Sequence, residues 1–94
     1  MTEKIKEATL RVSEMEEIFD CLCRGFKESP DTFFEREENK EKLKKLTDYY
    51  ESEDWLFDFT LDSEGLLPKT LKRGVLSEDG VWNFLELVRS RNAF

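Results

Sequence analysis

Seven apolar residues, spaced alternately three and four positions apart, constrain the fold of this chain more than any other feature of its sequence. Because an α-helix turns once every 3.6 residues, this spacing places all seven side chains on one face of a helix of about seven turns. They are Ile5, Ala8, Val12, Met15, Phe19, Leu22 and Phe26. Such a stripe has to be buried, so the sequence predicts a long first helix packed against other helices.

Three serines mark further helix starts, because a serine side chain can accept a hydrogen bond from the first turn of a helix. Ser29 precedes Pro30, a residue that suits the first helical position, so a second helix is expected to begin near Pro30. Ser52 and Ser77 predict the starts of a third and a fourth helix. Gly65 is expected to end the third helix in a left-handed backbone conformation.

These signals predict an all-α fold: a small helical bundle in which a long helical hairpin is followed by two or three shorter helices. The length of 94 residues suits one domain, covering residues 1–94. Within the second helix, residues 35–42 are all polar. The sequence leaves open whether this stretch continues the helix as a solvated rod or frays.

The charge balance excludes some partners. Twenty-two acidic and fifteen basic residues give a net charge of -7, which repels nucleic acid, so direct nucleic-acid binding is not expected. No apolar run approaches the roughly 20 residues of a membrane span, and no membrane association is expected. Because residues 1–6 alternate in charge rather than forming an apolar leader, the expected location is the cytoplasm.

Catalytic and metal-binding equipment is scarce. The chain has no histidine, which is the commonest general base and transition-metal ligand. The acidic turns around Gly65 and Gly80 each lack an essential ligand of a calcium loop. Cys21 and Cys23 are two residues apart and so project to opposite sides of a helix. We therefore expect no catalytic residue, no metal site, no cofactor and no disulfide.

An acidic segment precedes a basic turn in the second half of the chain. Asp54 and Asp58 lie one helical turn apart, and Arg73 follows after a glycine. We expect Arg73 to reach back to Asp58 or Asp54, because a guanidinium can hold a carboxylate through two parallel bonds. Together with Ser77 and Asp79 at the start of the last helix, these residues form a candidate interaction or structural polar cluster.

The aromatic residues divide into two groups. Trp55, with Leu56 and Phe59, is expected to face the core from the third helix, and Trp82 from the fourth, since large aromatics dominate small cores. Phe57 and Phe84 fall off these faces. They are therefore candidate exposed aromatics that contact another helix or a partner, although a wide buried stripe is an equal alternative.

One run of ten residues is distinctive enough to suggest a family. It covers Leu71 to Gly80 and follows Tyr49-Tyr50, Ser52, Trp55, Asp58, Gly65 and Leu67-Pro68; Arg11, Met15-Glu16, Ile18 and Asp20 add a weaker match. With these residues, the chain resembles a family of small bacterial helical domains of unknown function. The resemblance implies a small helical bacterial protein, and it implies no activity. The polar stretch 35–42 departs from the pattern of this family, which is richer in leucine and alanine there.

Three functions remain as hypotheses. An acidic, aromatic-bearing helical surface without histidine favours a non-catalytic protein-interaction or accessory module whose partner is another protein or a second copy of the chain. One alternative is a small metal-dependent enzyme or accessory subunit that uses Asp54, Asp58 and Asp62. The other is an acidic mimic of nucleic acid that binds a basic protein.

Overall fold

Four α-helices and two short 3₁₀ turns make up the computed structural model, which describes residues 2–92. The helices are α1 (Glu3–Glu28), α2 (Glu37–Tyr50), α3 (Glu53–Ser63) and α4 (Glu78–Asn92). The 3₁₀ turns are Phe33–Glu35 and Gly74–Leu76, and residues 2–92 contain no strand. The predicted all-α bundle, with a long hairpin followed by two shorter helices, is confirmed.

The long first helix follows the predicted stripe. Thr2 caps it by accepting a hydrogen bond from the backbone N–H of Ile5, and the helix ends at Glu28. Most of the stripe is buried, and Ile5, Met15 and Phe19 pack against the core while partly exposed. The apolar periodicity therefore fixed both the length and the orientation of α1.

The predicted start of the second helix was wrong. Ser29 does not cap a new helix; its backbone N–H donates to Gly25 and closes α1. The chain then turns and reaches α2 only at Glu37. The reason is Phe33, which is buried edge-on against Phe26 with ring centroids 5.4 Å apart. The 3₁₀ turn Phe33–Glu35 begins at this residue and leaves its ring in the core.

The polar stretch left open by the sequence is helical from Glu37 onwards. It is not a fully solvated rod, because Asn39 is buried and its side-chain amide donates to the carbonyl of Phe33 at 3.0 Å. This bond ties the start of α2 to the preceding 3₁₀ turn. Lys42 is also half-buried.

Capping residues define the helices of the second half. Ser52 Oγ accepts from the backbone N–H of Trp55 at 3.3 Å, as predicted for the start of α3. Gly65 has a φ of 73°, the left-handed conformation predicted after α3. Ser77 Oγ accepts from the N–H of Gly80 at 3.2 Å in the first turn of α4.

The core lies between α1 and the other three helices, all of which contact α1. Its buried apolar residues are Ala8, Val12, Leu22, Phe26, Phe33, Leu46, Tyr49, Leu61, Leu67, Val75, Leu76, Val81, Phe84, Leu85 and Val88. Within residues 2–92, no helix has the length and apolar content needed to cross a membrane.

Candidate interaction site

The buried carboxylate of Asp58 connects three helices. Asp58 of α3 is 0% exposed, and both of its carboxylate oxygens are bound by Arg11 of α1, with Nε–Oδ2 at 2.9 Å and Nη2–Oδ1 at 2.5 Å. Tyr49 of α2 donates its hydroxyl to the same Oδ2 at 2.7 Å. This three-helix cluster (Arg11, Tyr49 and Asp58) satisfies a carboxylate that would otherwise be costly to bury.

The pKa values of Arg11 and Tyr49, the two residues that donate to Asp58, are both raised. Donation to Asp58 raises the pKa of the Arg11 guanidinium, with the negative charge of that carboxylate adding to the effect. Burial raises the pKa of Tyr49 far above its ordinary range, and its hydrogen bond to Asp58 raises the pKa further. Both residues therefore keep their protons at neutral pH, so both remain donors to Asp58.

A second polar contact anchors the distinctive run 71–80. Glu16 of α1 is buried and accepts from the backbone N–H of Val75 at 2.9 Å. On the other side of the same peptide segment, the indole N–H of Trp55 donates to the carbonyl of Val75 at 2.8 Å. A side chain at Gly74 would meet Glu16 Oε1 at 2.9 Å, so the glycine permits the close approach.

The structure contradicts the expected partner of Arg73. Its guanidinium binds Asp62 and the carbonyl of Pro68, and it reaches neither Asp58 nor Asp54. Asp58 is held by Arg11, while Asp54 is exposed at the start of α3. Asp79 is exposed in the first turn of α4. The residues predicted to form one polar cluster are therefore distributed among separate contacts.

The structure decides one open alternative and overturns one prediction among the aromatic residues: Phe84 is in the buried stripe, and Trp82 is not in the core. Phe84 is only 7% exposed, because it packs edge-on against Phe19 and Phe26. Trp82, expected in the core, is 50% exposed. Phe57 is 40% exposed on α3. Of the two candidate exposed aromatics, only Phe57 thus has a substantial surface in solvent.

Phe57 belongs to an outward face of α3 that combines apolar and acidic residues. We define the α3 outer face as Glu53, Leu56, Phe57, Thr60 and Glu64, which follow helical spacing and are all exposed. Leu56, expected in the core, is 60% exposed at its centre. Asp58 and Leu61 point the other way, into the core. This face therefore presents two adjacent large apolar side chains to solvent.

The chain segment that carries the α3 outer face has acidic residues but no basic ones. From Leu46 to Pro68 the chain contains no lysine or arginine. Three of the acids in this segment are bound by cations from elsewhere: Asp48 by Lys44, Asp58 by Arg11 and Asp62 by Arg73. The remaining four, all exposed, form no ion pair within the described residues; they are Glu51, Glu53, Asp54 and Glu64.

The carboxylates proposed for a metal-dependent enzyme do not converge. Arg11 and Tyr49 occupy Asp58, Arg73 binds Asp62, and Asp54 is exposed. Among the side chains that the structure describes, no three of His, Cys, Asp or Glu are grouped as a metal site requires. Nothing in this arrangement supports the enzyme hypothesis.

Sequence reasoning missed three residues that organise the second half of the molecule. Arg11, Glu16 and Tyr49 entered the sequence analysis only through the family resemblance, and none of their observed contacts was predicted. The available signal was the family resemblance, because all three residues are among those that carried it, as are Trp55 and Asp58, which they help to hold. The pattern that identifies the family therefore coincides largely with contacts that assemble the fold.

Comparison with known proteins agrees with this resemblance. The family described as a domain of unknown function, DUF4298, matches residues 12–91. No curated protein and no solved structure matches the chain. The match covers α2, α3 and the part of α1 from Val12 onwards, so it contains Tyr49 and Asp58 of the three-helix cluster, while Arg11 immediately precedes it.

Proposed function

The chain belongs to the DUF4298 family, a domain of unknown function. From the surfaces of the molecule, we propose that it is a non-catalytic protein-interaction module. The interaction site is the α3 outer face, and the partner is a different protein that carries basic residues around an apolar anchor. The observation that carries the proposal is the exposure of Leu56 and Phe57 side by side on that face.

The apolar part of the face supplies affinity. Leu56 and Phe57 lie on one side of a helix whose opposite side is fixed in the core by Asp58 and Leu61. Their positions are set before a partner arrives, so binding does not have to order the helix. Anchors of this kind, buried at the centre of an interface and surrounded by polar residues, contribute most of the binding energy in many complexes.

The acidic surroundings determine the kind of partner. Glu53, Asp54 and Glu64 border the apolar pair, and no lysine or arginine lies in this segment to neutralise them. Complementary positive charge on a partner increases the association rate and disfavours acidic competitors. A second copy of this chain carries the same net charge of -7 and is repelled. A cytoplasmic location is part of the proposal, and the free thiols of Cys21 and Cys23 are compatible with a reducing compartment.

The proposal can be tested by selecting peptides from a displayed library against the folded protein. We expect selected peptides to contain lysine or arginine beside one large apolar residue. Their affinity should fall at least tenfold for a Leu56→Ala/Phe57→Ala variant, which corresponds to about 1.4 kcal/mol or more. Binding should also weaken as salt concentration rises.

A matched control removes one exposed leucine from another helix. Leu87 of α4 is 56% exposed, close to the exposure of Leu56, and lies outside the α3 outer face. Leu87→Ala should leave peptide affinity unchanged. Equal loss in both variants, peptides that bind without basic residues, or dimerisation through this face in light scattering would each refute the proposal. Basic peptides that bind the double variant normally would favour the nucleic-acid mimic instead, since its recognition depends on charge alone.

A further inference from the structure

A polar cavity lies at the opposite end of the α1–α2 hairpin from the three-helix cluster. Its volume is about 340 Å³, and it is lined by the C-terminal half of α1, the turn after α1 and the start of α2, with one side open to solvent. Its charged lining consists of three cations and two carboxylates: Arg24, Arg36, Lys42, Glu28 and Glu38. The buried carboxamide of Asn39 also lines it. In a chain of net charge -7, a lining in which positive charges outnumber negative ones differs from the rest of the molecule.

Two of these cations have no carboxylate partner. Within residues 2–92, ion pairs neutralise Arg11, Arg73 and several surface lysines, but none involves Arg24 or Lys42. Arg36 has a long contact of 3.7 Å with Glu38, so its charge is partly balanced. Neither Arg24 nor Lys42 is therefore held by a direct carboxylate contact, and the lining keeps one more cation than it has carboxylates.

The surroundings of Lys42 indicate an anion site more strongly than the count of charges does. This half-buried ammonium donates to the sulfur of Cys21, with Nζ and Sγ 3.1 Å apart. A thiol sulfur is a weak acceptor, whereas a charged oxygen forms a much stronger bond with an ammonium group. The protein thus holds a cation at the cavity wall without giving it a good acceptor. A ligand oxygen would supply one.

We propose that this cavity binds a small oxyanion with at least two negative charges, held by Arg24 and Lys42. The volume is near the lower end of the range for ligand pockets, which suits a ligand of the size of pyrophosphate or a tricarboxylate. The hydroxyls of Ser29 and Thr32, also at the cavity wall, can donate further hydrogen bonds. The site is separate from the α3 outer face and does not depend on the proposed function.

Calorimetric titration of the purified chain with inorganic pyrophosphate and, separately, with citrate tests the site at constant ionic strength. We expect saturable binding of at least one probe with one ligand per chain. The preferred probe then distinguishes a phosphate ligand from a carboxylate ligand. Arg24→Gln and Lys42→Met should each weaken binding about tenfold or more, as expected when a charged hydrogen bond is lost.

Lys27→Met provides the control, because it removes one positive charge from α1, three residues from Arg24. Lys27 is exposed, has no ion pair within the described residues and lines a different groove, so this variant should bind normally. Arg24→Lys should retain more affinity than Arg24→Gln. Helical circular dichroism of each variant verifies that it is folded. Absence of saturable binding of either probe, or equal weakening by Lys27→Met, would overturn the proposal.

Discussion

Replacing Arg11 by methionine is the most informative change to the three-helix cluster. Methionine keeps much of the apolar stem of arginine but removes both bonds to Asp58, which is 0% exposed. Tyr49 then remains as the only donor to that carboxylate. Leaving a buried charge without its partner costs about 3–5 kcal/mol. Because the Arg11 side chain is itself 24% exposed, we expect the free energy of unfolding to fall by the lower end of this range, about 3 kcal/mol.

The double-mutant cycle with Asp58→Asn separates the pair from other effects. Asp58→Asn alone should cost less than Arg11→Met, since the arginine left behind can reach water whereas the stranded carboxylate cannot. The coupling between the two positions should be about 2 kcal/mol, at the upper part of the range for contacting residues. In urea, a loss of 3 kcal/mol moves the unfolding midpoint by about 2 M for a slope near 1.5 kcal/mol per M.

A surface pair provides the comparison for this cycle. Lys44 and Asp48 form an ion pair of 2.8 Å between exposed side chains on α2, so Lys44→Met should leave the urea midpoint unchanged within error. Unfolding followed by the helical circular dichroism signal measures the four proteins of the cycle and Lys44→Met. A coupling below about 0.5 kcal/mol between Arg11 and Asp58 would show that the buried pair behaves like a surface pair, and the reasoning would be refuted.

Two further predictions concern the remaining polar contacts. Gly74→Ala should destabilise the fold by about 1 kcal/mol, because the new Cβ would lie 2.9 Å from Oε1 of Glu16, a buried side chain that moves only by disturbing its bond to the N–H of Val75; an unchanged urea midpoint would contradict the close approach. Tyr49 has a pKa raised by burial, so its stabilising contribution is complete below pH 10, the ordinary tyrosine value, and is lost as pH rises above it. The stability of the wild type should therefore fall more steeply than that of Tyr49→Phe in alkaline urea titrations, and parallel curves would refute this.

The sequence predicted the fold where one face of a helix was unambiguously apolar. The stripe of α1 alternates cleanly with polar residues, so its buried side could be read directly. In α3 the apolar residues Trp55, Leu56, Phe57, Phe59 and Leu61 surround the helix. Periodicity cannot identify the buried side of such a helix. Tertiary contacts decide it, and Asp58 turns inward because Arg11 and Tyr49 are there to receive it.

The errors in α4 have a related origin. Val81, Phe84, Leu85 and Val88 follow regular helical spacing and are all buried, while Trp82 is exposed. This spacing was present in the sequence, but the size of the tryptophan favoured the wrong face. For Arg73, the order of charges along the chain correctly predicted a partner in the acidic segment, but not which acid. Arg73 binds Asp62 because Asp58 is already bound by Arg11, a residue of α1 far away in the chain.

The order of folding follows from how far apart the bonded residues are in the sequence. Asn39 and the carbonyl of Phe33 are separated by 6 positions, whereas Arg11 and Asp58 are separated by 47, and Glu16 and Val75 by 59. Closing a longer loop costs more entropy before any contact compensates for it. We therefore expect the hairpin of α1 and α2 to form before the second half docks against it. Contacts made after the transition state chiefly determine how fast a protein unfolds. Loss of the Arg11 or Glu16 contact is then expected to raise the unfolding rate more than it lowers the folding rate.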